Sequence, residues 1–330
     1  MKALVTGGAG FIGSHLVDHL LGLGHRVVVL DDLSTGSPRN LEHLRHHPDL
    51  ECVRGSVLDT ACVRRVMAGC DTVFHLAAPV RASPAEHRPI ETMRTNVTGT
   101  ETVLEAAADG DRRVLFASSG EIYGRSHGKP LREDDDRVLG SPLSRRWCSA
   151  VTKGLGELLM DRYRREYGLR TVTVRLFGVT GPRQNGRCAP VIPVFVEQAL
   201  RGGPLTVHGD GTQRRSFCSV RDIAPALVAL VEQPRAHGRA VNLGGAEETT
   251  IADLARRVRA LTDSGSGIVT VPHEAVHGPG YTDVHFRVPD VALARDLIGW
   301  APTTALDGII TAVAETRAAE TGLIGDGLIA

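Results

Sequence analysis

Apolar residues fall in short dense runs through the first half of the chain, at Ala3 to Thr6, Arg26 to Leu30, Thr72 to Leu76, Val114 to Ala117 and Thr171 to Leu176. Runs so rich in β-branched and aliphatic side chains predict strands buried on both faces. Between them the period changes. Phe11 to Leu23, Ile90 to Ala108 and Ser149 to Tyr167 place apolar residues three and four apart, as helices do. Strand alternating with helix predicts repeated βαβ units, hence a parallel sheet. Right-handed crossovers then give a doubly wound α/β fold.

After about Gly178 the alternation weakens, and Pro182, Pro190, Pro193, Pro204 and the run Gly209-Asp210-Gly211 break the chain into short elements. A smaller C-terminal lobe is expected there, at 178–215 plus about 264–330. The larger domain is expected to comprise 1–177 plus about 216–263, because Val220 to Val231 and Ala240 to Leu243 read as a returning helix and strand. The tail after Thr321 carries no core pattern, and no repeat or low-complexity tract is visible.

With 330 residues, the chain suits a large nucleotide-binding domain and a smaller companion. Its 38 basic and 38 acidic side chains cancel, so no overall field draws it to nucleic acid or an anionic membrane. Any anion must be caught locally. The cysteines Cys52, Cys62, Cys70, Cys148, Cys188 and Cys218 form neither a CxxC pair nor a disulfide-like framework, and the histidines show no metal-ligand spacing. No apolar stretch approaches a membrane span, and the first residues lack the pattern of a secretory leader. A cytoplasmic protein with reduced thiols and no metal is the expectation.

The run Leu4-Val5-Thr6-Gly7-Gly8-Ala9-Gly10-Phe11-Ile12-Gly13 reads as strand, glycine-rich turn and helix start. Gly7 permits the tight turn, Gly10 lets backbone approach a pyrophosphate, and Gly13 lets helix pack closely on strand. The helix N-terminus supplies N–H donors and positive potential. Such a triplet is weak evidence alone. Here a second strand ends in Leu30-Asp31-Asp32, at the spacing of a ribose-binding acid. Asp31 would accept from both ribose hydroxyls and repel a 2′-phosphate, which favours NAD over NADP. A turn followed by an unrelated surface aspartate does not account for turn, helix and acid together.

Further along stand His75-Leu76-Ala77-Ala78, Asn96-Val97-x-Gly99-Thr100, Ser118-Ser119-x-Glu121-x-Tyr123-Gly124, Lys153, Gly209-Asp210-Gly211-x-Gln213-x-Arg215-Ser216-Phe217, Asp222, Asn242-Leu243-Gly244 and Arg287-x-Pro289-Asp290. In this order they resemble the extended short-chain dehydrogenase/reductase family, whose members carry a Rossmann domain and a substrate lobe. Ser119-Gly120-Glu121, Arg215-Ser216-Phe217, Ala199-Leu200-Arg201-Gly202 and Arg287-x-Pro289-Asp290 together look most like the UDP-glucuronic acid decarboxylases within it.

That resemblance implies an NAD-dependent lyase. The sugar is oxidised at C4, the ketone lies one carbon away from the carbon that bears the carboxylate, and carbon dioxide leaves from this β-keto acid as electrons flow into the carbonyl. The product is UDP-4-keto-xylose, UDP-xylose or both. By resemblance, Gly7, Gly10, Phe11, Ile12, Gly13, Asp31, Val57, Leu76, Ala77 and Lys153 hold the cofactor, while Arg215, Arg287 and Gly178 meet the nucleotide sugar. Ser119 is assigned to the C4 oxygen, Glu121 to the C5/C6 region and Arg287 to substrate anions; His75 is assigned a structural place. The helices Ile90 to Ala108 and Ser149 to Tyr167 correspond to those that pair two subunits as a four-helix bundle, so a homodimer is implied.

Taken individually, these residues also have plain structural readings. Glu121 after a strand suits a solvated loop, a Ser-Ser pair suits a turn, and Lys153 on a helix suits a surface charge. Their joint position at the carboxyl end of a predicted strand, where such sheets bind ligands, favours chemistry.

One departure is sharp. The family places a tyrosine one helical turn before the lysine to take the hydroxyl proton, and here Ser149 stands in its place. A serine hydroxyl is a far weaker acid on a far shorter side chain. The expectation is that Ser149 holds a water relaying the proton towards Lys153 or Glu121. Gly178 replaces a usual asparagine, Ser56 an aspartate and Ser219 a tyrosine. Two other functions compete: a UDP-sugar 4-epimerase, with UDP-glucuronate among its candidate substrates, and a dinucleotide-binding sensor without chemistry. A 4,6-dehydratase is disfavoured by Gly120, where an acid usually precedes the glutamate.

Overall fold

The computed structural model describes residues 1–79, 89–126, 128–184, 190–278, 281 and 283–321. Cys188 and the tail beyond Thr321 lie outside them. The first half contains β1 (Lys2–Thr6), α1 (Phe11–Gly22), β2 (Arg26–Asp31), β3 (Leu50–Arg54), α2 (Thr60–Met67), β4 (Thr72–His75), α3 (Pro89–Ala108), β5 (Arg113–Ser119), α4 (Cys148–Tyr167) and β6 (Arg170–Leu176). Then follow β7 (Val179–Thr180), α5 (Val191–Leu200), β8 (Leu205–His208), β9 (Arg214–Ser216), β10 (Cys218–Ser219), α6 (Val220–Glu232), β11 (Arg239–Leu243), β12 (Glu248–Thr250), α7 (Ile251–Leu261), β13 (Ile268–Val271), α8 (His273–His277), β14 (Phe286–Arg287), α9 (Ala292–Ile298) and α10 (Leu306–Thr321).

Seven parallel strands build the central sheet in the order β11-β6-β5-β4-β1-β2-β3. The doubly wound α/β fold expected from the sequence is therefore present. Period-2 alternation sends Leu4, Val28, Leu30 and Phe116 to the face covered by α3 and α4, and Val5, Val29 and Leu115 to the face covered by α1 and α6. Asn242 and Leu243 of β11 pair with Arg175 and Leu176 of β6, so the chain does return to the sheet after crossing the lobe. The edge strand β3 was not legible as an apolar run, because it is mostly exposed and carries Glu51 and Arg54.

The smaller lobe has its own core, in which Ile192, Phe195 and Val196 of α5 meet Leu254 and Val258 of α7 and Ile309, Ile310 and Val313 of α10. α7, expected with the sheet domain, packs here instead. Its Leu254, Ala255 and Val258 form one buried stripe, and Thr250 caps it by accepting from the Asp253 amide at 3.0 Å. α9, expected in the lobe, turns Ala294 and Leu297 into the core beneath the sheet. Truncating Leu254 to alanine would cost about 2–5 kcal/mol. Among the described residues no helix is long and apolar enough to cross a membrane.

Candidate active site

The glycine-rich turn joins β1 to α1. Gly7 has φ +73°, and a Cβ there would lie 2.9 Å from the Ala77 amide nitrogen, so strand β4 exits directly against this turn. A Cβ on Gly13 would meet the Gly7 carbonyl oxygen at 2.1 Å, which is why helix and strand can approach only without a side chain. Gly10 is the N-cap of α1 and carries extended backbone, leaving the amides of Phe11 and Ile12 at the open end of the helix. Asp31, at the end of β2, is buried; its carboxylate accepts from the Ala9 amide at 2.9 Å and the Leu33 amide at 2.8 Å. Burial raises its pKa, against the pull of these two amides. A cradle that side chains would fill, a helix N-terminus and a fixed carboxylate fit a dinucleotide with free ribose hydroxyls.

Leu76 and Ala77 continue β4 beside the turn, and the Ala77 amide donates to the Thr6 hydroxyl at 3.3 Å. Val57 is buried and belongs to the same hydrophobic core cluster as Leu30. His75 is buried between the hydroxyls of Thr6 at 2.8 Å and Thr100 at 3.0 Å, and burial pushes its pKa down to about 3. Because Thr100 already donates to the Asn96 carbonyl, the hydrogen-bond pattern assigns the proton of a neutral ring to Nε2. It is a structural histidine.

Strand β5 ends at Ser119, whose Oγ caps the following turn by accepting from the Glu121 amide at 3.2 Å. Lys153 reaches the same strand from α4: its Nζ donates to the Ala117 carbonyl at 2.6 Å and lies 4.7 Å from the Phe116 ring centroid. Burial drives its pKa down to about 8, with the charge of Glu157 opposing. Ser149 is partly exposed in the first turn of α4, and its carbonyl accepts from the Thr152 hydroxyl at 3.2 Å. None of the four tyrosines occupies its position. Tyr123 is buried, donates to Asn242 and has its pKa pushed up to about 12; Tyr163 and Tyr167 stack on each other along α4; Tyr281 packs against His273.

Beyond Ser119 the charges converge. Glu121 Oε1 accepts from Arg287 at 3.3 Å and from Arg146 at 3.4 Å. Arg287 of β14 is paired in parallel register with Arg215 of β9, so two guanidiniums leave adjacent strands side by side. Arg215 is held by the Asp283 carboxylate at 3.2 Å; burial first, and then the charge of Arg287, lower its pKa to about 10. Gly178, with φ +53°, offers no side chain to this cluster. Its missing Cβ would sit 2.1 Å from the Ser216 carbonyl oxygen, so the asparagine usual in relatives by resemblance could be seated here only if the backbone shifted.

Behind the site lies a buried polar network. Ser118 donates to Glu157 at 2.5 Å, and Arg175 grips that carboxylate at 2.8 Å through Nη2 and 3.1 Å through Nε. Arg175 also donates to the Tyr123 hydroxyl at 2.7 Å, which in turn donates to Asn242 Oδ1 at 2.8 Å. The network binds β5, α4, β6 and β11 together directly under Ser119.

A family model described as the NAD dependent epimerase/dehydratase family matches residues 3–244. The chain belongs to this family. Among curated relatives, the UDP-N-acetyl-alpha-D-glucosaminuronate decarboxylase of Bacillus cytotoxicus is 37% identical over 302 residues, covering 91% of this chain and 92% of that protein. UDP-glucuronic acid decarboxylase 1 of Arabidopsis thaliana is 35% identical over 318 residues, covering 96% of this chain and 70% of the relative. Among solved structures, the UDP-glucuronic acid 4-epimerase of Bacillus cereus in complex with UDP-glucuronic acid and NAD is similar at a TM-score of 0.86 and 28% identity, across 97% of this chain and 100% of that one.

In this family member the structure brings Ser119, Glu121, Arg215 and Arg287 together at the carboxyl end of β5, and Lys153 to that same strand. Sequence reasoning missed Arg146 as a site residue. Its signal was an arginine seven positions before Lys153, inside the motif run, where it reads as another surface cation until folding buries it. Among the described residues no group of three or more His, Cys, Asp or Glu side chains is placed to hold a metal ion.

Proposed function

We propose that this chain is an NAD-dependent decarboxylase of UDP-glucuronic acid or a closely related UDP-uronic acid, yielding UDP-4-keto-xylose, UDP-xylose or both. The observation that carries this reading is Glu121 clasped by Arg146 and Arg287 at the carboxyl end of β5, in a chain whose curated relatives act on uronic acids. Gly7, Gly10, Phe11, Ile12, Gly13, Asp31, Val57, Leu76, Ala77 and Lys153 hold the dinucleotide, and when bound it supplies the hydride acceptor for C4.

The chain's own residues orient the sugar and manage charge. Ser119 hydrogen-bonds the C4 oxygen, and Ser149 holds a water that carries the hydroxyl proton towards Lys153, whose buried amine has its pKa lowered to about 8. A ketone at C4 makes the sugar a β-keto acid, so the C5–C6 bond breaks, its electron pair passes into the C4 carbonyl as carbon dioxide departs, and the resulting enolate takes up a proton at C5. Return of the hydride to C4 would give UDP-xylose, and release before that return would give UDP-4-keto-xylose. Glu121 and Arg287 hold the C5/C6 end, and Arg215 takes part in binding the nucleotide diphosphate. The exposed Val151, Leu155 and Leu158 of α4, with Ile90 and Met93 of α3, support a homodimer through a four-helix bundle. A cytoplasmic site of action is part of the same proposal.

The solved UDP-glucuronic acid 4-epimerase, alike over the whole chain, favours epimerisation as the second reading. Incubating the protein with NAD and UDP-glucuronic acid, then UDP-N-acetylglucosaminuronic acid, and weighing the products separates the two. Loss of carbon dioxide is expected; a product of unchanged mass would replace the proposal with the epimerase.

A further inference from the structure

We infer that Glu157 is a positioning residue for Lys153: its carboxylate, one helical turn further along α4, completes a two-point clamp between that helix and the end of β5 and sets the charge under which the lysine amine acts. The inference rests on the part of the reading above that passes the proton towards Lys153. Lys153 and Glu157 stand four residues apart and so share a face of α4. Ala117 and Ser118 are consecutive near the end of β5. Lys153 Nζ donates to the Ala117 carbonyl at 2.6 Å, and the Ser118 hydroxyl donates to Glu157 Oε1 at 2.5 Å. One such bond would leave the helix free to pivot on the strand. Two, a turn apart, fix the amine relative to Ser119, the next residue of β5.

Glu157 is itself held in place. Arg175 of β6 donates to it at 2.8 Å through Nη2 and at 3.1 Å through Nε, and also donates to the Tyr123 hydroxyl and the Glu133 carbonyl, so the carboxylate is anchored from a second strand. A buried ion pair is a poor source of stability compared with apolar side chains of similar size, so its use here fits a demand for place and charge. Other elements also meet the lysine. His75 comes from β4, kept neutral by burial; Phe116 comes from β5; Asn96 of α3 donates to Thr152 beside it; Arg137 packs over Gly154; Arg175 is engaged with Glu157. Among the described residues, Glu157 is the anion whose charge reaches the amine, and it opposes the proton loss that burial favours.

Lys2, Lys129 and Lys153 are the chain's only lysines, so protein labelled with carbon-13 at lysine Cε reports the Lys153 proton directly by NMR, without substrate. The Lys153 signal, assigned by its absence in Lys153→Met, should titrate at about pH 8 in the wild type. In Glu157→Gln it should titrate about one pH unit lower, with Lys2 and Lys129 unmoved. Glu157→Asp keeps the charge and should restore most of the difference. The double variant Glu157→Gln/Arg175→Met strands no charge; the same downward shift is expected in it, and it carries the test if the single variant fails to fold. An unchanged midpoint in whichever neutral variant folds would overturn the inference, leaving Glu157 as half of a core ion pair. In NAD-loaded protein the rising limb of turnover against pH should move down together with the titration. A wild type that titrates as expected yet converts no UDP-uronic acid would instead overturn the functional reading itself.

Discussion

The Lys153 ammonium donates to the Ala117 carbonyl at 2.6 Å, two residues before the strand ends at Ser119. That bond fixes the amine beside the reactive edge but supplies no counter-charge, and the nearby Glu157 carboxylate is gripped by Arg175. Among the described residues no carboxylate forms an ion pair with this buried lysine.

The consequence is a pH-linked stability. The pKa of Lys153 falls from the ordinary 10.5 to about 8 on folding, so between these values the unfolded chain binds more protons and stability rises with pH. Below about 8 the penalty is complete, and it is relieved as pH climbs towards 10.5. Lys153→Met should lack this rise. Urea midpoints measured from pH 7.5 to 10 check it, since equal slopes for variant and wild type would remove Lys153 as the source. The same titration predicts that wild-type turnover climbs through about pH 8 as the neutral amine forms.

Ser149→Tyr should raise turnover by about tenfold or more, because a positioned phenol is a far better proton carrier than a serine and water. NAD affinity should hardly move. Single-turnover kinetics would decide: unchanged rates in a folded, NAD-binding variant would mean that proton transfer from the C4 hydroxyl is not limiting.

Gly178→Asn, which restores the residue usual in relatives by resemblance, should destabilise by roughly 1–3 kcal/mol. Its Cβ would enter within 2.1 Å of the Ser216 carbonyl oxygen. Chemical denaturation reports this directly, and an asparagine variant as stable as the wild type would show that β9 yields easily.

The Glu157–Arg175 pair is nearly buried, with side chains 14% and 10% exposed. Breaking it from one side, as in Glu157→Gln or Arg175→Met, should cost about 3–5 kcal/mol, since the surviving charge is stranded. The double variant should lose less than the sum. Strict additivity in a double-mutant cycle would mean the two groups are not coupled.

The fold was legible where burial leaves a periodic trace. β1, β2 and β6 announce themselves because both faces are covered, whereas β3 is an edge strand whose exposed positions accept charge and erase the pattern. Asp31 was legible because its place is set by local spacing from the glycine turn. Arg146, Arg175 and Asn242 were not, since their partners Glu121, Glu157 and Tyr123 are 18 to 119 residues away and only tertiary contact reveals them. Likewise α7 follows β11 in the chain, yet its apolar stripe packs in the lobe core against α5 and α10, contacts that only the folded chain reveals.

The parallel pairing of Arg215 with Arg287 reaches across the whole C-terminal lobe, while Glu121 and Arg146 come from the sheet domain. Neither half of the molecule owns the whole charged cluster. A fragment ending near Gly244 would keep the dinucleotide cradle and the contact of Glu121 with Arg146 but lose Arg287, and with it the strand partner of Arg215. Any motion loosening that junction would therefore dismantle the cluster before it disturbed the cradle.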